Sequence, residues 1–504
     1  MSFDTDMEKL VPGRHFYEQY SLWKLMEGGS APEAAPPVRQ AMVLSTWPHP
    51  STLEYVVQLT AGIPMSQAKD RLLYTLGDDS AGGTLSSKLL ERSDVLRPLK
   101  QAVGGDARGV LECFMSTEHE RGVADVLGIP LRANDPRLQY WGTKPGGRQI
   151  FSEAGVPHPP GIDAVRTPRE LAERLGGLLL EHPESRRVVV KLSEGLAGEG
   201  NGILDIEALG RRPAASRAAW TARLEELLPH TRLQNEDLTW AAFTSKMGEQ
   251  GAIAELFVDG EEKTSPSGQG FIDEGGRVEV LTTHEQILGG DDGQLYLGAR
   301  LGANDAYRSR VQEYTRRVGD VLASKGARGR FAVDFIATSA GKSSDWDLQA
   351  IEINLREGST THPYETLRVL TGGKMDAGSG LFLTPEGRAK TYISSDVFEV
   401  TGIPALHPSD AADIALRHGL QYDPVTQTGV IFHILDMLNE FEKIGVTCVA
   451  DSPEAAELTY EQLTKAFEIE VGNQPVRAAE SAELPPPQAV TRDLPSAFLT
   501  GSHQ

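Results

Sequence analysis

Cysteine is scarce in this sequence. Its two cysteines, Cys113 and Cys448, lie far apart along the chain, and neither belongs to a CxxC pair. A zinc ribbon or a disulfide framework requires cysteines at characteristic spacings, so both are poor interpretations of this chain. We therefore interpret the two residues as reduced thiols of a cytoplasmic protein.

Long apolar runs and an excess of basic charge are also absent. No run approaches the length of a transmembrane helix, and the first ten residues, MSFDTDMEKL, contain no apolar signal core. Lys and Arg total 49 against 71 Asp and Glu, which gives a net charge of −22 at pH 7. This balance argues against non-specific binding to nucleic acid or to anionic membranes. The sequence therefore predicts a cytoplasmic protein with neither kind of partner.

The 504 residues are enough for about two to four domains. Strand patterns alternate with helix patterns and dominate the middle of the chain, which favours a mixed α/β (α+β) fold. Towards the C-terminus, residues 429–444 predict a helix. Composition divides the chain into a segment and linker at 1–38, an α/β domain at 39–140, a central domain at 141–372, a second α/β domain at 373–472 and a disordered tail at 473–504.

The stretch QAIEINLREGSTTHP, residues 349–363, places polar groups inside an apolar run. In an extended strand Glu352, Asn354 and Arg356 line one face, and the intervening Ile351, Ile353 and Leu355 line the other. A half-buried strand with a solvated polar face would give the same pattern. Asn is poorly suited to strand interiors, which weakens that interpretation.

The preceding predicted strand carries one acid, Asp334, among Phe, Val and Ile. A carboxylate in such surroundings needs a partner. If the two strands are neighbours, Asp334, Glu352 and Asn354 converge. Two carboxylates and an amide oxygen are hard oxygen ligands suited to Mg²⁺, so we interpret the group as a metal site rather than an acid–base pair.

A second cluster, VVVKLSEGLAGEGNG at residues 188–202, follows a strand that ends near Lys191. Glycines let backbone N–H groups turn inward around phosphate, and a preceding lysine adds positive charge. The spacing is neither GxxxxGK[ST] nor GxGxxG. On its own a flexible hairpin explains it equally well. The candidate phosphate-binding glycines are Gly195, Gly198 and Gly200.

A third cluster, AIAELFVDGEE, places Glu255 on a strand and Glu262 after a turn. Backbone groups of such an edge segment can pair with adenine. Glu255 would accept from the exocyclic amine, Glu262 would hold ribose hydroxyls, and Phe257 lies between them on the proposed nucleotide side. An ordinary hairpin with acidic tips is the alternative.

Three motifs follow one another along the chain: a lysine with a glycine-rich loop, then E-(x)4-G-x-E, then D…E-x-N. This arrangement resembles the ATP-grasp superfamily. The resemblance implies an ATP-grasp fold with flanking α/β domains, in which residues 191–202 form a lid over Mg-ATP. Lys144 and Lys191 would contact phosphates. Two Mg²⁺ ions would be bound by Asp334, Glu352 and Asn354, and Arg356 would stabilise the transferring phosphoryl group.

A closer resemblance extends from about residue 40 to 470. The strings GTKPGGRQIFSEAGVPHPPG, VVKLSEGLAGEGN, SPSGQG, THEQILGG, RFAVDF and EINLREGSTTHP are similar to the pheganomycin-type peptide ligases. This family implies an ATP-dependent carboxylate–amine ligase that works through an acyl phosphate in specialised metabolism, such as antibiotic biosynthesis. Ser359 replaces the expected Gly, and Ala197 replaces the usual Ser.

Several polar residues are candidates for orienting amino acid or peptide substrates. They are Ser267, His284, Gln286, Thr360 and Thr361. His362 follows the predicted strand that carries Glu352 and Asn354, and it is a candidate general base. Lys191 and Arg356 are the other candidate catalytic residues. For any single histidine, a structural role is equally well supported.

Two other functions stay open at this point. Biotin-dependent carboxylases also carry E-x-N-x-R followed by HP, but this chain has no AMKM biotin-attachment motif. A non-catalytic nucleotide-binding protein is the second alternative, although the expected metal ligands and lysines are all present. The sequence does not name the substrates or the oligomeric state, for which a homodimer is one option.

Overall fold

The computed structural model describes residues 14–26, 41–59, 72–77, 83–103, 109–195, 200–207, 216–235, 237–289, 295–341, 345–399 and 406–473. The strands, in chain order, are β1 Ala41–Leu44, β2 Leu72–Thr75, β3 Gly161–Val165, β4 Arg187–Leu192, β5 Asn201–Asp205, β6 Arg232–Leu233, β7 Ala252–Leu256, β8 Glu262–Thr264, β9 Pro266–Ile272, β10 Val278–Gly289, β11 Leu295–Leu301, β12 Gly329–Ser339, β13 Asp347–Asn354, β14 Lys374–Met375, β15 Phe382–Leu383, β16 Ala389–Glu399, β17 Gly429–His433 and β18 Lys443–Ala450.

The α-helices are α1 Pro50–Gln58, α2 Leu85–Glu91, α3 Ser93–Val103, α4 Glu118–Leu127, α5 Lys144–Ala154, α6 Pro168–Glu181, α7 Arg217–Leu227, α8 Trp240–Gln250, α9 Arg308–Ser324, α10 Thr361–Thr371, α11 Pro408–Arg417, α12 Leu438–Phe441 and α13 Pro453–Asn473. The 3₁₀ helices are Arg14–Met26, Pro136–Gly142, Leu228–His230 and Leu435–Met437. The mixed α/β class expected from the sequence is confirmed. Within the described segments, no helix is both long and apolar enough to span a membrane.

Two antiparallel sheets carry the central part of the chain. The smaller has the order β3-β7-β4-β5-β6, and helices α6, α7 and α8 pack against it through a cluster of buried aliphatic and aromatic side chains. The larger sheet runs β13-β12-β9-β10-β11-β16-β15-β14, and β8, β17 and β18 attach to it. Since β16 pairs with β11, the larger sheet continues past the domain boundary expected at residue 372.

The segment at residues 429–444 is not a helix, and this expectation was wrong. Val430, Ile431 and Phe432 lie in β17, which pairs with β18, and only Leu438–Phe441 forms a short α-helix between them. The short apolar run at residues 430–432 does not by itself distinguish a buried strand from a buried helix, and its β-branched and aromatic residues favour the strand.

Strands β12 and β13 position the polar row predicted from the sequence. Their antiparallel register sets Asp334 opposite Glu352 and Ala332 opposite Asn354. Val333 and Phe335, on the other face of β12, are fully buried in a core shared with α5 and α9. The alternation of β12 therefore directs its acid away from this core.

The alternation predicted for β13 fails at one residue. The register shifts beside Asp334, so that Ile351 has no direct partner on β12. Such a bulge turns an extra residue to the same side as its neighbour. Ile351 accordingly lines the same cavity as Glu352 instead of facing the core with Ile353.

The 3₁₀ helix Arg14–Met26, which the sequence assigned to a segment and linker, packs onto the C-terminal part of the fold. Its Gln19 donates to Asp436 Oδ2 at 2.7 Å, across 417 positions of sequence. The same carboxylate accepts from the backbone N–H of His49 at 2.8 Å and from Thr52 Oγ1. One buried side chain thus joins three separate segments.

Replacing this carboxylate tests whether Asp436 holds the segments together. We expect Asp436→Ala to lower the free energy of unfolding by about 3 kcal/mol or more, because three buried donors lose their acceptor. Urea unfolding followed by circular dichroism measures the change. The exposed Glu440→Ala is the control. Equal stability of the two variants would contradict the role assigned to Asp436.

Candidate active site

A cavity of about 950 Å³ lies where the smaller and larger sheets face each other. The smaller sheet contributes Lys191 and Glu255, and the larger sheet contributes Asp334, Glu352 and Asn354. This volume is at the upper end of the roughly 300–1,000 Å³ usual for small-molecule sites. The cavity therefore has room for more than one small ligand.

Asp334 is the acid at the centre of the polar row. Gln286 Nε2 donates to Asp334 Oδ1 at 2.8 Å, and Asn354 Nδ2 donates to Oδ2 at 2.9 Å. Burial, together with the neighbouring Glu352 carboxylate, raises the pKa of Asp334 to about 7 against the opposing effect of Arg356. Two carboxylates held this close in a buried place favour a cation between them.

Arg356 extends the row beyond the metal-ligand candidates. Its guanidinium donates to Asn354 Oδ1 at 2.9 Å and to the backbone carbonyl of Glu357 at 2.8 Å. The guanidinium carbon lies 5.5 Å from the ring centre of Phe114. These contacts hold a planar cation in one orientation at the cavity wall, which suits bidentate contact with phosphate oxygens.

The donor chemistry of this row fits Mg²⁺. Asp334, Glu352 and Asn354 carry oxygen atoms on the two opposed strands β12 and β13. An ion bound there would replace hydrogen bonds that Asp334 and Asn354 accept within the row. The described residues contain no group of three or more His, Cys, Asp or Glu side chains able to hold a metal, so the amide oxygen of Asn354 is needed to complete the set. Such a sparse oxygen set is typical of Mg²⁺, which keeps water and phosphate as its other ligands.

Glu255 does not offer a free carboxylate to the cavity. Arg148 lies 2.5 Å from its Oε1, and Lys191 lies 2.6 Å from its Oε2. Burial opposes ionisation of Glu255, but Lys191 and Arg148 outweigh it and hold its pKa below the usual value. Both oxygens are thus engaged, which favours a role in holding Lys191 over the predicted pairing with the adenine amine.

Lys144, the first residue of helix α5, contacts Glu352 of strand β13. Thr143 caps this helix by accepting from the Gly146 N–H, and Pro145 occupies its first turn. Lys144 Nζ lies 3.6 Å from Glu352 Oε1, and its backbone N–H donates to Ser193. Arg148 follows Lys144 by four residues and so lies on the same helix face. That spacing is the signal that would have identified Arg148 from the sequence.

The other predicted residues divide into two groups. The cavity is lined by Gly195, Phe257, Ser267, Gln286 and Thr360. Residues that do not line it are Gly200, Glu262, His284, Thr361 and His362. Gly198 lies outside the described residues, as do residues 196–199 of the predicted lid and the predicted tail beyond residue 473.

His284 is fully buried, and its Nε2 lies 2.8 Å from the Tyr392 hydroxyl. Burial lowers the pKa of His284 to about 3. His284 is therefore a neutral structural side chain beneath the cavity. The expectation that it orients substrate finds no support in this placement.

The placement of His362 is also unfavourable to its predicted role as general base. Its ring stacks on Tyr20 with centroids 3.8 Å apart and meets His433 edge-on at 4.6 Å. Burial, reinforced by His433, holds the pKa of His362 well below its usual value. Tyr20 is the neighbour that lines the cavity. His362 therefore supports Tyr20 rather than facing substrate.

Sequence reasoning missed the residues at one end of the cavity. Tyr17 and Tyr20 come from the 3₁₀ helix Arg14–Met26, and Tyr296 and Asp396 come from β11 and β16. Asp396 had a readable signal, because it is the one acid in the otherwise uncharged run TYISSDVF of β16, as Asp334 is in the run FAVDFIATS of β12. The tyrosines had none, since only the tertiary fold brings their segments together.

This chain is similar to known protein families and to known proteins over much of its length. A family profile described as "IQCH-like, ATP-grasp" matches residues 137–378, and one described as "PGM1 C-terminal domain" matches residues 410–463. The chain is 31% identical to the L-propargylglycine–L-glutamate ligase of Streptantibioticus cattleyicolor over 433 residues, which is 84% of each chain. It is 24% identical to the IQ motif-containing protein H of Danio rerio over 75% of this chain and 38% of that protein.

Solved structures with a similar arrangement include two biotin carboxylases. A complex of the Campylobacter jejuni enzyme with a β,γ-ATP ligand has 13% identity and a TM-score of 0.49, covering 80% of this chain and 84% of that one. The biotin carboxylase domain dimer of the Hydrogenobacter thermophilus 2-oxoglutarate carboxylase, with Mg-ADP, ADP and bicarbonate, has 15% identity and a TM-score of 0.49. That match covers 80% of this chain and 85% of the other.

The Arg148–Glu255–Lys191 cluster predicts a large stability effect. We expect Glu255→Ala to lower the free energy of unfolding by about 3–5 kcal/mol, because two buried cations lose their counter-charge. Arg316→Met, which removes an exposed ion pair with Asp320, is the control and should change it by less than about 1 kcal/mol. Chemical denaturation of both variants measures the difference. A Glu255→Ala protein as stable as this control would show that the cluster is not a buried ionic unit.

Proposed function

Because this chain belongs to the ATP-grasp family of carboxylate–amine ligases, we propose that it joins an amino acid to a second amino acid or a peptide while ATP is converted to ADP and phosphate. The observation that carries the proposal is one cavity that collects opposed carboxylates, an amide, a guanidinium and a buried lysine. Similarity along most of its length to a ligase named for two amino acids supports the substrate class.

Amide formation from a carboxylate and an amine requires an activated acyl group. The proposed reaction transfers the γ-phosphoryl group of ATP to the carboxylate, and the acyl phosphate is then attacked by the amine with release of phosphate. Phosphoryl transfer depends mainly on positioning and on neutralising charge. Lys144 and Lys191 bind phosphate oxygens, and Arg356 stabilises the charge that develops on the transferred group.

Asp334, Glu352 and Asn354 would hold Mg²⁺, which neutralises phosphate charge when it is bound. The protein arranges these ligands through the register of β12 and β13, with Gln286 fixing Asp334 from β10. Glu255 keeps the Lys191 ammonium at the cavity wall, and Arg148 balances the remaining charge of Glu255.

The proposed ligase also has an expected metabolic role, cellular location and set of partners. A ligase of this kind belongs to specialised metabolism, such as antibiotic biosynthesis, in the cytoplasm. Its substrates are small molecules. The homodimer considered from the sequence stays a prediction, which sedimentation of the purified protein would examine.

A pairwise substrate screen tests the proposed reaction. We expect ADP release only with Mg-ATP and a matched pair of amino acids, together with a product whose mass equals their sum less one water. A carboxylate labelled with ¹⁸O should pass one label to inorganic phosphate, because the acyl oxygen leaves with it. Enzyme-coupled ADP detection and mass spectrometry give the readouts. Release of AMP, ATP turnover that depends on bicarbonate, or no condensation product with any pair would contradict the proposal.

Arg356 gives a sharper test of the phosphoryl-transfer site. We expect Arg356→Lys to lower kcat about 10²–10³-fold with little change in KM for ATP, because the lost bidentate contact forms mainly in the transition state. Arg316→Lys on the exposed face of α9 is the matched control. Steady-state kinetics measures both variants. An unchanged kcat for Arg356→Lys would exclude the proposed role.

A further inference from the structure

Asp396 lies at the end of the cavity that the mechanism above does not use. It is in β16, the residue is 7% exposed, and it lines the cavity together with Val397, Tyr17, Tyr20 and Tyr296. The wall around it is largely aromatic. A carboxylate in such surroundings is costly unless a cation or several donors meet it.

The described part of the chain supplies no close cation for this carboxylate. No lysine or arginine there forms an ion pair with Asp396, and the neighbouring imidazole of His362, whose Nε2 lies 3.5 Å away, has a pKa well below its usual value. Burial raises the pKa of Asp396 to about 6, while Ser359, Tyr20 and the more distant Lys443 stabilise its charged form. The carboxylate is thus only partly satisfied by the protein.

Other acids of the fold have cations or hydrogen-bond donors of the protein as partners. Glu255 is bracketed by two cations. Glu285, in the same cavity as Asp396, accepts from the Tyr307 hydroxyl at 2.6 Å and from the Asn304 N–H at 2.9 Å. Glu285 is therefore held by two donors of the protein, whereas Asp396, which lines the same cavity, is next to hydroxyl groups and a neutral imidazole.

The reaction centre is one short loop away. Ser359, which contacts Asp396, follows Arg356 by three residues, a chain length that spans at most roughly 10 Å. Arg356 marks the position of the transferring phosphoryl group. A small molecule whose carboxylate lies beside Arg356 can therefore place a second polar group near Asp396.

We propose that Asp396, with the hydroxyl group of Ser359, binds the ammonium group of the amino acid whose carboxylate is activated. This assignment rests on the ligase function proposed above. The ammonium it binds is one that does not react, because an attacking amine must lose its proton and a carboxylate partner would stabilise the protonated form. The cavity thus selects an acyl donor with a free amino group, and the product retains that group.

Ser359 is the residue of this subsite that departs from the family pattern. Ser359 stands where the pheganomycin-type pattern has glycine, and its hydroxyl stabilises the charged form of Asp396. A glycine would leave Asp396 with one hydroxyl neighbour fewer. The serine therefore strengthens the preference for a charged amino group on the donor.

The test compares an accepted amino-acid donor with its des-amino analogue. We expect Asp396→Asn to lower kcat/KM for the amino acid by about 30-fold or more, since a buried charged contact is lost, and to change kcat/KM for the des-amino acid less than about threefold. Glu285→Gln is the matched control from the same cavity and should affect both donors alike. ADP release and product mass are the readouts.

The outcomes separate this assignment from the ligase proposal. Equal losses with both donors, or a change confined to KM for the acceptor, would overturn the role of Asp396 while leaving the ligase intact. Absence of ADP release with every substrate pair would instead overturn the ligase. Thermal unfolding monitors folding of each variant. If Asp396→Asn does not fold, Ser359→Gly decides, because a severalfold rise in donor KM restricted to the amino acid supports the subsite and an unchanged KM refutes it.

Discussion

The site depends on the pairing of two antiparallel strands. The register of β12 and β13 sets Asp334 opposite Glu352 and directs both acids away from the core that Val333 and Phe335 fill. A shift of one residue would move every side chain of one strand to the opposite face. The buried aliphatic and aromatic side chains therefore maintain the register that places the two carboxylates of the proposed cation site opposite each other. The hydrogen bonds between β12 and β13 therefore contribute to folding stability and also position the proposed cation site.

Local patterns in the sequence predicted much of this centre. Alternation of polar and apolar residues identified Glu352, Asn354 and Arg356, and a lone acid in an apolar strand identified Asp334. All four line one cavity. The bulge at Ile351 was not predictable, because it depends on which residues of the partner strand lie opposite. The same limit explains residues 429–444, where pairing with β18 rather than intrinsic preference selects a strand.

Long-range contacts were beyond sequence reasoning. The glutamate read as an adenine contact is held by Arg148 and Lys191, and His362, read as a general base, supports Tyr20 from below. In each case the residue type was informative but the neighbours came from distant segments. Pattern analysis finds a carboxylate or an imidazole, whereas its protonation and accessibility follow from tertiary packing.

The contact between Gln19 and Asp436 joins segments that lie 417 positions apart in the sequence. The helix that holds Gln19 also provides Tyr17 and Tyr20 to the cavity wall, while Asp436 precedes β18, a strand that supports Asp396 through β16. During synthesis the first segment must therefore wait for nearly the whole polypeptide before its docking surface exists. Nascent chains that lack the C-terminal strands contain β13 but have an incomplete cavity wall around Asp396. Chain growth thus sets the order in which the two sides of the cavity form, and the side proposed to bind the acyl donor is completed last.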